Sequence, residues 1–164
     1  MRIATLGYLY DLNNNQTLLG EKKYGQAMGK VNGFGGKLEP NDKSIKHAFK
    51  REFYEETGLK IINPQLNSVI KFIFSQQEDL YVYVYTAHRY LGNLCESDEM
   101  KTYWIPNNNI PIDKMWPSDR LWFPIINQFK STFIILNFNP EQSSPNQMTI
   151  LFNQKLNENF HKNH

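Results

Sequence analysis

The fold and the chemistry of this 164-residue chain are concentrated in residues 33–59, which have the sequence GFGGKLEPNDKSIKHAFKREFYEETGL. The second half of this segment is predicted to form a helix over residues 44–57, with Ser44 as a suitable N-cap and Gly58 as the residue that ends it. An apolar stripe follows this helix at four-residue spacing, at Ile45, Phe49 and Phe53. The pattern therefore predicts a helix with one face buried.

Three carboxylates of the predicted helix share one face, because Glu52 lies three residues before Glu55 and four before Glu56. Like charges at this spacing oppose one another by roughly 0.2–0.5 kcal/mol per exposed pair, and the helix dipole disfavours anions near a C-terminus. A hard divalent cation would relieve both effects, and ligands that offer only oxygen favour Mg²⁺ or Mn²⁺. The alternative is a solvated acidic face paired with nearby lysines.

A glycine-rich segment precedes the helix. Residues 25–36 carry five glycines, which predicts a loop or a glycine-broken strand. Without Cβ atoms, the glycines of residues 33–36 would let the backbone approach phosphate groups closely, and Lys37 would add a positive charge. The segment therefore favours a phosphate-binding loop, with an ordinary glycine-rich turn as the alternative.

Residues 36–59 resemble the Nudix box, whose pattern is G-x5-E-x7-R-E-U-x-E-E-x-G-U, with U an apolar residue. The second half of the box is intact from Arg51 to Leu59. The first half departs from it, since fourteen residues separate Gly36 from Arg51 where the box has thirteen. Asp42 or Lys43 falls at the position of the first glutamate, depending on the end from which one counts. That glutamate is largely structural in the family, so we expect Asp42 to replace it imperfectly.

The resemblance extends from about Thr5 to Phe152 and includes the branch of the Nudix family that hydrolyses oxidised purine nucleoside triphosphates. It rests on four further segments, at residues 18–23, 31–37, 96–100 and 115–124. It implies an α+β fold, namely an α/β/α sandwich with a mixed central sheet. We expect one domain over residues 1–164 with a core over about 3–153, and a polar tail over 154–164 that frays.

Hydrophobic patterns predict the elements of this sandwich outside the box. A β-hairpin is predicted over residues 3–19, and further strands are predicted over 69–74, 80–87, 101–105, 133–138 and 148–153. A second helix is predicted over residues 119–129, in which Pro124 must lie in the first turn or kink the helix.

The resemblance implies a metal-dependent catalytic centre. Its catalytic residues would be Arg51, Glu52, Glu55, Glu56 and Glu99. Its metal ligands would be the four glutamates and the carbonyl of Gly35, with Mg²⁺ as the cofactor and Mn²⁺ as a possible substitute. The implied reaction cleaves a nucleoside triphosphate to the monophosphate and pyrophosphate, and the identity of the general base stays open.

The resemblance also implies a substrate pocket. Base recognition would fall to Asn32, Trp116, Ser118 and Asp119, and the remaining substrate-binding positions would be Thr5, Lys22, Phe34, Gly35, Gly36, Lys37, Phe72, Leu80, Pro117 and Phe138. The related branch has two adjacent aspartates after its Trp-Pro pair, whereas here Ser118 precedes Asp119. We therefore expect a narrower enzyme that prefers 8-oxo-dGTP to 2-hydroxy-dATP.

The whole chain restricts the remaining possibilities. A net charge of +2 is too small to favour binding of long nucleic acid, and the single cysteine fits a reducing compartment, so we expect a cytoplasmic monomer without a membrane segment. The favoured function is removal of oxidised purine nucleotides from the nucleotide pool. The alternatives are a Nudix hydrolase of an ordinary dNTP, a dinucleoside polyphosphate or an RNA 5′ end, and a non-catalytic nucleotide sensor.

Overall fold

The computed structural model describes residues 1–139 and 144–163. The strands are β1 (Arg2–Asp11), β2 (Gln16–Lys22), β3 (Val31–Asn32), β4 (Lys60–Ile62), β5 (Gln65–Phe74), β6 (Leu80–Ala87), β7 (Arg89–Leu91), β8 (Met100–Pro106), β9 (Thr132–Phe138) and β10 (Gln147–Leu151). The α-helices are α1 (Ile45–Thr57) and α2 (Asp119–Gln128), and short 3₁₀ helices lie at Asn107–Asn109, Ile112–Lys114 and Phe160–Lys162. None of the helices within the described residues is long and apolar enough to cross a membrane.

One mixed sheet organises the fold. Its strand order is β10-β9-β5-β6-β1-β2, and both β3 and β8 pair with β2. β1 is parallel to β6 and β5 is parallel to β9, whereas the other neighbours are antiparallel. The predicted hairpin and the five further predicted strands all belong to this sheet. The pair β4–β7 forms a separate small sheet that was not predicted, because each strand has only three residues.

The core lies in two layers, one on each face of the large sheet. Alternation along β6 shows this, because Tyr83 and Tyr85 belong to the layer that contains Phe49 and Phe53 of α1, whereas Val84 belongs to the other layer. The second layer also contains three residues of α2, namely Trp122, Phe123 and Ile126. The two helices therefore cover opposite faces, and the predicted α/β/α sandwich is confirmed.

Both ends of α1 have the features that the sequence predicted. The Ser44 hydroxyl oxygen accepts a hydrogen bond from the His47 N–H (3.1 Å), and Gly58 adopts a left-handed φ of 74° just after the last turn. Gly7 of β1 lets this helix lie close to the sheet, because a Cβ atom at that position would be 2.0 Å from the Phe49 ring. The termini of α1 and its distance from the sheet are therefore both determined locally.

The proline of α2 lies deeper in its helix than predicted. Pro124 is the sixth residue of α2, beyond the first turn, so the Arg120 carbonyl lacks the backbone N–H four residues later that would normally bond to it. The helix nevertheless continues to Gln128, and its buried residues Trp122, Phe123 and Ile126 pack in the core. Tertiary packing therefore offsets the helix-breaking tendency of this proline.

The C-terminal segment differs from the prediction, because it packs against the fold instead of fraying. Phe160 is 3% exposed, and its ring meets that of Phe133 edge-on with 4.9 Å between the ring centroids. Glu158 accepts a hydrogen bond from the Lys46 N–H in the first turn of α1 (3.1 Å). The sequence did not predict these contacts, because the segment is mostly polar. Residue 164, the last of the predicted tail, lies outside the described residues.

The contacts of Phe160 predict that the tail contributes to stability. Phe160→Ala should lower the free energy of unfolding by about 3 kcal/mol, because it leaves a cavity beside a buried phenylalanine. Urea denaturation followed by circular dichroism measures this change. Phe152→Ala is the control. Because Phe152 is 46% exposed, this substitution should lower the free energy of unfolding much less. Equal losses in the two variants would contradict the packed tail.

Candidate active site

Arg51 organises the acidic face of α1. Its guanidinium forms a bidentate ion pair with Asp42, in which Nε donates to Oδ1 (3.1 Å) and Nη2 donates to Oδ2 (2.9 Å). Its Nη1 donates to Glu52 (3.0 Å) and to Glu55 (3.1 Å). One cation thus hydrogen-bonds to three carboxylates, and its contacts with Glu52 and Glu55 reduce the repulsion between those two glutamates.

Of the two candidates for the first glutamate position of the box, Asp42 contacts Arg51, whereas Lys43 is exposed. The Asp42 side chain is 1% exposed, and it also accepts the Glu39 N–H (2.9 Å). The hydrogen bonds from Arg51 hold the pKa of Asp42 well below its usual range. This geometry differs from the imperfect replacement that we expected, because both carboxylate oxygens are fully used.

Glu56 is buried, with its side chain between α1 and residues 33–36, which we call the glycine loop. It is 6% exposed, its Oε2 accepts the Gly35 N–H (2.9 Å), and its Oε1 accepts from the Lys22 ammonium (3.1 Å). Burial raises the pKa of Glu56, and the charge of Lys22 opposes this increase only in part. Lys22 also lies 3.4 Å from an oxygen of Glu99. The predicted ligands Glu56 and Glu99 are therefore brought to the same ammonium group.

The glycine loop also lies against Glu52. A Cβ atom at Gly36 would lie 2.4 Å from the Glu52 carboxyl carbon, so only glycine fits this position. Gly35 has a φ of 151°, and a Cβ atom there would lie 2.2 Å from the Thr5 carbonyl oxygen. Burial raises the pKa of Glu52 despite its hydrogen bond from Arg51. Two partly uncompensated carboxylates therefore face one loop.

The donor set fits a hard divalent cation, although the carboxylates are not gathered as a finished metal centre. Among residues 1–139 and 144–163, no three His, Cys, Asp or Glu side chains converge closely enough to hold a metal. The carboxylates instead contact Arg51 and Lys22. All the candidate ligands are oxygens, and the raised pKa values of Glu52 and Glu56 indicate negative charge that a cation would stabilise.

A second polar cluster joins residues that are far apart in sequence. Asn32 of β3 donates from Nδ2 to Asp119 Oδ2 (2.7 Å), and Ser118 donates from its hydroxyl to Asp119 Oδ1 (3.1 Å). Asp119 is 6% exposed at the start of α2, and burial raises its pKa to about 6. The predicted base-recognition residues Asn32, Ser118 and Asp119 therefore lie together.

Tyr8 belongs to this cluster and was not predicted. Its hydroxyl donates to Asn32 Oδ1 (2.6 Å), and the residue is fully buried. In the sequence Tyr8 is one of several aromatic residues in an apolar strand. The only indication was general, since a buried tyrosine hydroxyl needs a hydrogen-bond partner.

The predicted aromatic positions divide between two places. Trp116 is 41% exposed, and the Lys30 ammonium lies over its ring, 5.5 Å from the ring centroid. Pro117 is half-buried between Trp116 and Ser118. Phe72 and Phe138 stack on each other with 6.1 Å between centroids and pack at the border of the core layer that contains α2. The rings of Phe72 and Phe138 are therefore half-buried on the side of the sheet that α2 covers.

Three predicted substrate residues occupy other positions. Phe34 is fully buried and packs edge-on against Phe53 (5.0 Å between centroids), so its side chain belongs to the core and its role in substrate binding stays a prediction. Thr5 is buried beneath the glycine loop, with its hydroxyl 3.4 Å from the Gly36 carbonyl oxygen. Leu80 lines a separate cavity of about 450 Å³ together with Lys37. Sequence patterns could not reveal these placements, because they depend on how the glycine loop packs against the strands and the core.

The described residues also form a cavity of about 380 Å³ at the other end of α2. Its lining includes Tyr10, Asn67 and Asn127, and none of the predicted site residues. The candidate site, formed by α1, the glycine loop and the start of α2, therefore does not coincide with this cavity.

Comparisons with known proteins show the family to which the chain belongs. The sequence profile of the NUDIX domain matches residues 2–124. The chain is 41% identical over 116 residues to a zebrafish (Danio rerio) protein named oxidized purine nucleoside triphosphate hydrolase, covering 70% of this chain and 74% of the relative. A mouse (Mus musculus) protein of the same name is 37% identical over 120 residues, covering 73% and 76%.

A solved structure supports the fold independently. A MutT protein from Bacillus halodurans superposes with a TM-score of 0.75 at 21% identity, covering 92% of this chain and 97% of that one. A likeness at this identity concerns the fold alone. The domain profile and the two relatives supply the family. The intact motif from Arg51 to Leu59 covers the last two turns of α1 and the two residues that follow, and its carboxylates meet the glycine loop. The chain therefore belongs to the NUDIX domain family.

Proposed function

We propose that this protein hydrolyses oxidised purine nucleoside triphosphates such as 8-oxo-dGTP to the monophosphate and pyrophosphate. One observation carries the proposal: a single short segment, residues 32–35, contacts both clusters. Asn32 at its start bonds to Asp119, and Gly35 at its end bonds to Glu56. Three residues of extended chain span at most about 10 Å. A base held at the first cluster would therefore place its phosphates beside the glutamates.

The relatives support the choice of substrate. The zebrafish and mouse proteins that match most of this chain carry the name oxidized purine nucleoside triphosphate hydrolase. The polar cluster of Asn32 and Asp119 offers an amide and a carboxylate, which suit the mixed donor and acceptor edge of a purine. Trp116 adds an exposed face on which a base could stack.

The carboxylates of α1 would hold the divalent cation that Nudix hydrolases generally need. Glu52 and Glu56 would be ligands beside the Gly35 carbonyl, with Glu55 and Glu99 as further ligands, and Mg²⁺ is the expected ion with Mn²⁺ as an alternative. Such an ion neutralises phosphate charge and lowers the pKa of bound water. Arg51 orients the carboxylates, and Lys22 would exchange its contacts with Glu56 and Glu99 for contacts to phosphate.

Retention of all the carboxylates makes a non-catalytic sensor the weaker alternative. A panel of nucleotides with Mg²⁺, scored for monophosphate and pyrophosphate, tests the function. It should contain 8-oxo-dGTP, 2-hydroxy-dATP, the ordinary dNTPs, a dinucleoside polyphosphate and a capped RNA. We expect the highest kcat/KM for 8-oxo-dGTP. A higher value for an ordinary dNTP, the dinucleoside polyphosphate or the RNA would contradict the proposal.

Glu56→Gln should abolish turnover and preserve the fold. The loss of one charged ligand should lower Mg²⁺-dependent hydrolysis by at least about a hundredfold, since even outer-shell changes at metal sites cost 10–100-fold. Without metal, the melting temperature should hold or rise, because burial raises the pKa of Glu56 and its charged form is therefore unfavourable in the fold. Glu39→Gln is the matched control, an exposed carboxylate near Arg51 that should keep full activity. Near-normal turnover by Glu56→Gln would exclude this metal site.

Ser118→Asp should broaden the choice of base. The Ser118 hydroxyl bonds to ionised Asp119, whereas a second carboxylate would raise the pKa of the pair and let it donate as well as accept. We expect kcat/KM for 2-hydroxy-dATP to rise relative to 8-oxo-dGTP. In the wild type, kcat/KM for 8-oxo-dGTP should fall as pH drops below about 6, because Asp119 then gains a proton, and this inflection should move upward in the variant.

Ser118→Ala is the control for this substitution, since it removes the hydroxyl without adding charge. It should leave 2-hydroxy-dATP a poor substrate. Similar kcat/KM values for both substrates in the wild-type protein would show that the missing carboxylate does not restrict the pocket.

A further inference from the structure

The hydroxyl of Tyr8 lies directly behind the polar cluster, and none of the roles assigned above uses it. Tyr8 is fully buried on β1, and its ring packs edge-on against Phe123 of α2 with 5.2 Å between centroids. Its Oη lies 2.6 Å from Asn32 Oδ1. Asn32 in turn contacts Asp119, so the hydroxyl is the first member of a chain of hydrogen bonds that ends at the carboxylate.

The direction of this chain is determined by its other members. The Gly33 N–H lies 2.8 Å from Asn32 Oδ1 and can only donate, so this atom of the amide is the oxygen. The ionised Asp119 carboxylate lies 2.7 Å from Asn32 Nδ2 and can only accept, so this atom is the nitrogen. Tyr8 therefore has to donate its proton to Asn32 Oδ1.

These hydrogen bonds leave Asn32 with only a hydrogen-bond donor to offer a ligand. A carbonyl oxygen has two lone pairs, and those of Oδ1 accept from Tyr8 and Gly33. The amide nitrogen has two hydrogens, and Asp119 accepts one of them. What remains is a single N–H donor on Asn32, beside a carboxylate that accepts.

We propose that Tyr8 is a positioning residue that makes Asn32 a donor-only group and thereby selects a base with a carbonyl acceptor next to an N–H donor. This inference rests on the proposed function and names the feature of the purine that the site selects. Guanine presents O6 beside N1–H on its six-membered ring. Adenine presents the reverse order in the same orientation, with an amino donor beside a ring-nitrogen acceptor.

The surroundings of Tyr8 keep it in this role. Burial, with a smaller effect of the charge on Asp119, raises the pKa of the Tyr8 phenol well above its usual range, so the hydroxyl remains a donor. Full burial also means that bulk water cannot readily replace the hydroxyl if it is removed. A lone pair of Asn32 Oδ1 would then be buried without a partner, and the amide would be less firmly held.

Tyr8→Phe tests the proposal, with Tyr10→Phe as the matched control. Tyr10 lies on the same strand and face, and its hydroxyl donates to the side-chain oxygen of another asparagine, Asn127, at the same distance of 2.6 Å. The substrates are 8-oxo-dGTP and 8-oxo-dATP, which share the oxidised five-membered ring and differ only at the six-membered ring. Tyr8→Phe should lower the ratio of their kcat/KM values about tenfold, as expected for one buried hydrogen bond.

This loss should appear in KM for 8-oxo-dGTP, with kcat close to that of the wild type, because Tyr8 does not contact the carboxylates of α1. Tyr10→Phe should leave the ratio unchanged. A purely structural role of Tyr8 would lower kcat/KM for both substrates by the same factor, and that outcome, like an unchanged ratio, would overturn the proposal.

Binding of the products separates this inference from the proposed function. Calorimetry with 8-oxo-dGMP and 8-oxo-dAMP requires neither metal nor hydrolysis, and Tyr8→Phe should reduce the ratio of their affinities by the same factor of about ten. A wild-type protein that binds 8-oxo-dGMP selectively but hydrolyses no purine triphosphate would contradict the proposed function and leave this inference supported. If Tyr8→Phe does not fold, NMR of the wild type decides, since a rapidly exchanging Tyr8 hydroxyl proton would overturn the proposal.

Discussion

The ion pair between Arg51 and Asp42 is the interaction on which the proposed catalytic face depends. The sequence places three glutamates on one turn of a helix near its C-terminus, where neither their mutual repulsion nor the helix dipole favours them. Asp42 holds the guanidinium with both of its oxygens, and the same guanidinium reaches Glu52 and Glu55. Because Asp42 is buried and lies before the helix, this contact also ties the loop to α1.

The two polar clusters are joined by a short piece of backbone with little freedom. Gly35 and Gly36 are required there because a Cβ atom at either would collide with the Thr5 carbonyl or with Glu52. The loop is further pinned when Gly35 donates to Glu56 and Asn32 donates to Asp119. Asn32, proposed to act in base selection, and Gly35, proposed to face the phosphates, lie on this one segment, so their separation is constrained. Such a constraint would suit a reaction at a fixed distance from the base.

Helices and strands that follow from local sequence patterns could be predicted. The direction in which an individual side chain points, and the distant partner that it meets, could not. Helix α1 was predictable from Ser44 and Gly58, and the large sheet from its alternating strands. The placement of the Phe34 ring could not be predicted, because its neighbours form the glycine loop whereas the ring itself packs against Phe53 in the core. Tyr8 and Phe160 were missed because their partners lie 24 and 27 residues or more away in sequence, beyond any periodic pattern.

Mn²⁺ binding to Asp42→Asn, followed by electron paramagnetic resonance of the free ion, tests the central claim most directly. Without the charge of Asp42, Arg51 would pair more strongly with Glu52 and Glu55 and compete with the metal. We predict a loss of about tenfold or more in Mn²⁺ affinity, the range typical of groups that orient metal ligands, while exposed Asp113→Asn has no effect. Unchanged Mn²⁺ affinity in a folded Asp42→Asn protein would contradict the account.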